Sequence, residues 1–412
     1  MLFDYSKQKL PIREGLREAN LKAWQFIGET GNWWSAQQHL AIAREVRAAH
    51  ECAFCRERKK ALSPYQVEGR HESNSELSEV IVDTVHRIVT DSSRLSDEWF
   101  KRLIPSEISK GQYVELVAVV VFVMNVDTFH RALGLPLEAL PEIQTLVNES
   151  PSQYIPGGLE EGAAWVPMIG KSQCAEEEQD LYRDVPKPTN VLRALSLVPE
   201  AVRCQRYMEN RYYFLPSEVM QVGESHDRAL SRIEIELVAT RVSMNNECFY
   251  CSASHAMLLQ VSGEVQGKQQ NITDLLSSER AAASENNGPG NGGISGEYAE
   301  LIGFVDAAMG DDNQQLVLAR EKLSKEHGDS ALVDTAALIG SFQRMNRIAS
   351  ATGIELDQEV DLLSQQVQSQ LALDTYAQAS ETTAGGKALG WLFAKVRPIL
   401  FKMVGKRARD RA

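Results

Sequence analysis

Four residues of this chain have the types and spacing of an acid–base-assisted dithiol: Glu236, Cys248, Cys251 and His255. Cysteines three apart lie on one helical face, and the polar break at Met244-Asn245-Asn246 predicts that a new helix opens near Cys248. Both thiols then sit in a first turn, where orphan main-chain N–H groups and the helix dipole favour thiolate over thiol. His255 follows Cys251 by one turn on the same face, within range to exchange a proton with it directly or through water. Glu236 belongs to the preceding helix, read over 226–243. If the two helices pack antiparallel across Asn245-Asn246, its carboxylate can orient the imidazole or accept the thiol proton. Each residue also has a plainer reading: a small buried cysteine, half of a zinc site, a satisfied helix histidine, a surface acid beside Glu234. The joint spacing is what points to redox chemistry.

The elements that must position these groups read as helices. Amphipathic stretches of helical period dominate, alternating strand patterns are few, and an all-α fold follows. With 412 residues, two packed units are expected rather than one. The sequence repeats itself accordingly. Leu40–Cys55 lies on Glu236–Cys251 with a constant offset of 196, matching Ala43 with Ala239, Val46 with Val242, Glu51 with Glu247 and Phe54 with Tyr250. Downstream, Phe129–Leu137 matches Ile348–Leu356 at an offset of 219, each a helix closed by a glycine, Gly134 or Gly353. The 23 extra positions call for an insertion in the second half, and the Gly- and Asn-rich stretch 284–296 has the composition of one. The expected organisation is a helical unit over 1–150, a Pro-, Gly- and Glu-rich connector over 151–188, a second helical unit over 189–380 and a basic tail over 381–412.

The first half carries its own pair, Cys52 and Cys55, as a secondary dithiol. At the repeat offset Leu40 stands where Glu236 stands and Lys59 where His255 stands, so the proton relay is missing there. Arg56, Arg58, Lys59 and Lys60 can still favour thiolate, and His50 is a stand-in base facing the wrong way along the helix. Three readings stay open: a degenerate site kept for packing, a resolving or electron-relay dithiol, and a metal-binding half-site. A four-cysteine zinc site would require the halves to bring the two pairs together. Cys174 and Cys204 have no partner motif, and Trp33-Trp34 reads as packing.

The run Glu236, eleven residues, Cys248, two residues, Cys251, three residues, His255, with its flanking Glu-Cys-Phe-Tyr-Cys, resembles the signature of the AhpD-like alkylhydroperoxidases of the carboxymuconolactone decarboxylase superfamily. The likeness extends to Phe342–Ile354 and its first-half counterpart, and so over most of residues 20–360. It implies an all-α, peroxide-reducing enzyme without metal or cofactor. In it Cys251, nearest the histidine, is the peroxidatic sulfur, Cys248 the resolving one, and Glu236 with His255 carries the proton. It also implies an external dithiol or protein reductant and a homo-oligomer. Two alternatives stand beside it: a decarboxylase-like enzyme of the same superfamily that needs no dithiol, and a non-catalytic helical assembly or zinc-binding module.

Charge and composition bound the partners. A net charge of −13 argues against a nucleic-acid surface. Closely paired cysteines and a charged N-terminus without a signal-like apolar stretch point to a reducing, cytoplasmic setting. The longest apolar run, Leu116–Met124, is too short to span a bilayer and reads as a buried helix. From Gly385 onward the chain holds eight basic residues and one acid. Residues 387–411 therefore suit either peripheral contact with an anionic membrane, led by Trp391, Phe393 and Arg407 to Arg411, or docking on the chain's own acidic body.

Overall fold

The computed structural model describes residues 2–73, 75–143, 150–170, 172–183, 185, 187–219, 221–223, 228–268, 272–277, 298–379, 397–399, 401 and 402. Its first half is built from α1 (Glu14–Gly28), α2 (Ala36–Glu51), α3 (Ala53–Lys60), α4 (Glu79–Asp91), α5 (Asp97–Leu103) and α6 (Lys110–Leu133). The second half contains α7 (Asn190–Arg193), α8 (Pro199–Tyr212), α9 (Pro216–Val219), α10 (Arg232–Asn245), α11 (Phe249–Val265) and α12 (Ile272–Ser277). It ends with α13 (Ala299–Met309), α14 (Asn313–His327), α15 (Asp329–Thr352) and α16 (Gln358–Gln370). The fold is all-α as expected. Among the described residues the strands are two short ones in the connector, Leu159–Glu160 paired antiparallel with Met168–Ile169.

Local chemistry sets the helix bounds. Ser35 caps α2 and Ser231 caps α10, each closing a reciprocal capping box with the residue three further on, Gln38 or Glu234. Ser231 is why α10 begins at Arg232 rather than at 226. The two capping boxes stand 196 positions apart, the offset of the cysteine motifs. The long helices α6 and α15 both run for 24 residues and end at left-handed glycines, Gly134 with φ 72° and Gly353 with φ 58°. Their bounds differ by 219 positions at either end, the second sequence offset. Between these markers the halves diverge: α3 stops after 8 residues whereas α11 continues for 17. Part of the added chain therefore lengthens α11, and the Gly-rich stretch 284–296 lies outside the described residues.

Buried apolar residues of both halves form one continuous cluster. Its centre is the pairing of α6 with α15, the most extensive helix contact among the described residues. An added Cβ at Gly340 of α15 would stand 2.6 Å from the main-chain oxygen of Asn125 on α6. The fully buried Arg344 donates to the Asn125 side chain at 3.1 Å, and the Tyr113 hydroxyl donates to the Ala351 carbonyl at 2.7 Å. Among the described helices α6 is the one with the length and hydropathy of a membrane span, and it lies enclosed by protein. The reading of Leu116–Met124 as a core segment holds.

Only a fragment of the basic tail falls within the described residues. There Arg397, fully buried, donates to Glu264 of α11 at 2.6 Å and to the Leu363 carbonyl of α16 at 3.0 Å, and Phe401 is buried. This stretch docks on the body of the protein. Trp391, Phe393 and Arg407 to Arg411 lie outside the described residues.

Alanine for glycine inside a helix ordinarily stabilises by about 1 kcal/mol. At position 340 the sign reverses, because the new methyl has to displace main chain of α6. Gly340→Ala is expected to cost about 1–3 kcal/mol, read as a lower urea midpoint at unchanged slope. An unchanged or higher midpoint would show that α6 and α15 do not approach this closely.

Candidate functional site

The turn between α10 and α11 presents the second dithiol. Asn246 ends α10, Glu247 takes the left-handed conformation at φ 49°, and Cys248 emerges as the N-cap residue of α11. Cys251 is then the third helical residue, so both sulfurs occupy the first turn as the spacing predicts. A non-glycine residue in the left-handed region costs on the order of 1–3 kcal/mol. The first half makes its corresponding junction without one: Cys52, at φ −66°, both ends α2 and caps α3.

Glu236 and His255, nineteen positions apart, meet directly. His255 Nδ1 lies 2.8 Å from Glu236 Oε2. The other carboxylate oxygen takes the Tyr213 hydroxyl at 2.5 Å and the Arg232 guanidinium at 2.8 Å. Burial raises the carboxyl pKa, but Arg232, His255 and Tyr213 together hold it below the usual carboxylate range, so Glu236 is an anion inside the core. Burial and that same anion push the Tyr213 phenol well above its ordinary value, which keeps it a donor. An ionised carboxylate at Nδ1 assigns the proton to that nitrogen and leaves the Nε2 lone pair as the base. The rings of Phe342 and Tyr213 meet the imidazole edge to face at 4.5 Å and 5.7 Å between centroids and fix its plane.

The surroundings of the two sulfurs differ: they favour a thiolate at Cys248 and disfavour one at Cys251, the sulfur that the resemblance makes peroxidatic. Burial raises the Cys248 pKa, yet the Cys251 thiol and amide, the Ser350 hydroxyl and the Arg347 guanidinium outweigh it and bring the thiol below its usual range. Cys251 goes the other way: burial and the adjoining Cys248 sulfur push it well above the ordinary thiol value. Two of these groups, Arg347 and Ser350, come from α15, far along the chain. No hydrogen bond links His255 to either sulfur, so a proton passing between them needs a bridging water. Both cysteines are buried free thiols, while the His255 side chain is 15% exposed and gives the cluster its contact with solvent.

The first dithiol has a polar shell that the repeat offset did not reveal. Leu40 and Lys59 do supply nothing there, but two histidines from farther along the chain do. His71 Nδ1 lies 3.5 Å from Cys52 Sγ and 3.6 Å from Cys55 Sγ, and His86 Nδ1 lies 3.3 Å from Cys55 Sγ. The opposite ring nitrogens are held by carboxylates, His71 Nε2 by Asp83 at 2.9 Å and His86 Nε2 by Glu45 at 3.0 Å. Of the nearby cations, Arg58 reaches the sulfur, with a guanidinium nitrogen 3.8 Å from Cys55, whereas Arg56 turns to the Glu51 carbonyl. The imidazoles at the sulfurs are thus His71 and His86, not His50. A signal was present: two histidines, 16 and 31 positions after Cys55, follow the CxxC pair. At the 219 offset His86 and Asp83 correspond to Val305 and Ile302, so comparing the halves could not expose them.

Among the described residues no cluster of ligating side chains joins the two cysteine pairs. Cys204 is buried, with its thiol pushed up to about 12 by burial, and is chemically quiet as expected. Trp34 packs in the core and donates to the Gln112 carbonyl at 2.8 Å, in keeping with a packing role. No known family model, curated protein or solved structure matches this chain.

Placement of the charge gives a pH prediction with a definite sign. A thiol with a depressed pKa is anionic above that value and protonates as the pH falls through it. The ultraviolet thiolate band is therefore expected to contain a component that persists below the ordinary thiol range and disappears on acidification. In difference spectra against the unsubstituted chain, Cys248→Ser should remove one thiolate from this component, the Cys52 thiol beside His71 supplying another, and Cys251→Ser should leave both. The opposite pattern would return the charge to Cys251.

Proposed function

We propose that this chain is a thiol-dependent peroxidase akin to the AhpD-like alkylhydroperoxidases, with Cys248 and Cys251 as its redox centre. The observation that carries the reading is the buried Glu236–His255 pair at 2.8 Å, beside two reduced cysteines in the first turn of α11. Matching capping boxes and matching bounds of α6 and α15 at the sequence offsets support a tandem origin of the two halves.

In the proposed cycle the Cys248 thiolate attacks the terminal oxygen of a hydroperoxide. The O–O bond breaks, Cys248 becomes a sulfenic acid, and the leaving alkoxide takes a proton to depart as alcohol, or as water when the substrate is hydrogen peroxide. The Cys251 sulfur, its proton passing through water to His255 Nε2, then attacks the sulfenic sulfur; the S–O bond breaks, and the protonated hydroxide leaves as water. An external dithiol, free or on a protein, reopens the resulting disulfide by exchange. Glu236 stays ionised throughout and stabilises the imidazolium formed in passing. Such a cycle belongs in a reducing compartment, in keeping with the expectation of a cytoplasmic protein.

Dithiol-dependent peroxide consumption by purified protein is the test. Cys248→Ser and Cys251→Ser are each expected to abolish turnover, His255→Gln to slow it by about 10²-fold or more, and Cys52→Ser to leave most of it. A sulfenic-acid trap applied to peroxide-treated Cys251→Ser should label Cys248. Equal loss from Cys52→Ser and Cys248→Ser would remove the distinction between the two dithiols, and turnover by fully alkylated protein would end the redox reading.

A further inference from the structure

We infer that Cys52, Cys55, His71 and His86 form a closed tetrahedral zinc site, separate from the proposed redox centre. The ligand atoms of these four residues all lie within 4.8 Å of one another. Zinc with Zn–S near 2.3 Å and Zn–N near 2.0–2.1 Å sets the S···N edges of its tetrahedron at about 3.5–3.6 Å. The three S···N separations set by the fold, 3.5, 3.6 and 3.3 Å, fall around that edge length.

Ring orientation supplies the second argument. Both histidines turn Nδ1 toward the sulfurs and commit Nε2 to a carboxylate, Asp83 for His71 and Glu45 for His86. A neutral imidazole that donates from Nε2 bears its lone pair on Nδ1, so two lone pairs and two sulfurs converge on one point. The imidazole planes approach to 4.1 Å between centroids, and a cation shared by both nitrogens makes that approach favourable. Carboxylates behind ligating histidines are the usual outer support of zinc, fixing tautomer and orientation.

Charge and enclosure agree with this assignment. Two thiolates balance one Zn²⁺, and the carboxylates of Glu45 and Asp83 are balanced by Arg58, which pairs with Asp83 at 2.5 Å, and Arg87, which pairs with it at 2.7 Å. Cys52, Cys55 and His86 are buried and the His71 side chain is 7% exposed, leaving no open coordination position. A closed site with four protein ligands is structural rather than catalytic. Its task is visible in the chain path: α3 is short, and the stretch between α3 and α4, free of helix and strand over its described residues, is drawn onto the cysteines through His71. The ion would fasten that stretch to α2, α3 and α4.

Metal content of the full chain, purified with reductant and without added metal, tests this directly. About one zinc per chain is expected, retained in Cys248→Ser and lost in Cys52→Ser and His86→Ala. Glu45→Gln and Asp83→Asn should bind zinc about 10–100-fold more weakly. Because ligand variants can fail to fold, the chelator-stripped unsubstituted chain is titrated with Co²⁺ and with Zn²⁺. Cobalt should develop the visible bands of a tetrahedral S₂N₂ site with thiolate charge transfer, and zinc should displace it and raise the unfolding temperature. Reduced protein that binds neither ion, a Cys52–Cys55 disulfide in place of bound metal, or zinc lost from Cys248→Ser but kept in Cys52→Ser would each overturn the proposal. None of these readouts depends on peroxide turnover, so the two proposals fail separately.

Discussion

A carboxylate taken out of water must be answered by donors, and around both dithiols of this protein an imidazole is one of them. Glu236 holds His255, Glu45 holds His86 and Asp83 holds His71, at 2.8–3.0 Å. Each pair fixes which ring nitrogen keeps its proton, and so fixes what the other nitrogen can do for a sulfur or for a passing proton. An unpaired carboxylate at Glu236, wholly buried, would cost several kcal/mol. Tyr213 and Arg232 share the load there, and with His255 they hold Glu236 as an anion. The chemistry available at either cysteine pair follows from this constraint more than from the sulfurs themselves.

The parts of this arrangement that were legible in the sequence are those encoded locally. Serine caps, glycine stops and helical period set the elements, and the spacing of Glu236, Cys248, Cys251 and His255 along two consecutive helices was enough to bring a carboxylate to an imidazole. The parts that were not legible depend on contacts across the chain. Arg347 and Ser350 favour a thiolate at Cys248 from α15, roughly a hundred positions away, an influence that proximity to His255 along one helix does not reveal. The shell of the first pair was hidden for a different reason. The repeat directs attention to the counterparts of Glu236 and His255, whereas the groups that matter there, His71, Asp83 and His86, stand where the second half has an insertion or apolar residues.

The two halves thus keep a common frame while building different polar shells on it. Capping boxes at Ser35 and Ser231 start the motif helices, and left-handed glycines stop α6 and α15 at corresponding points. A carboxylate near the start of each long helix repeats the theme: Glu115 accepts the main-chain amides of Asn32, Trp33 and Trp34, and Asp334 accepts that of Ala229. These braces hold the loop before each motif helix to the shared core. What differs is the length of the helix after the cysteines. Where α11 continues, His255 comes from the cysteine helix itself; where α3 stops early, the chain is free to turn back and deliver His71.

Ring orientation then separates the two sites. At the second dithiol the carboxylate takes Nδ1 of His255, no hydrogen bond joins the ring to either sulfur, and the side chain is partly exposed. At the first, the carboxylates take Nε2 of both histidines, and the Nδ1 atoms are turned inward onto the cysteines. The former arrangement is the one the proposed redox centre needs, the latter the one the proposed zinc site needs. Two cysteine pairs carried on corresponding helical junctions thus differ in which nitrogen of a histidine a buried carboxylate claims.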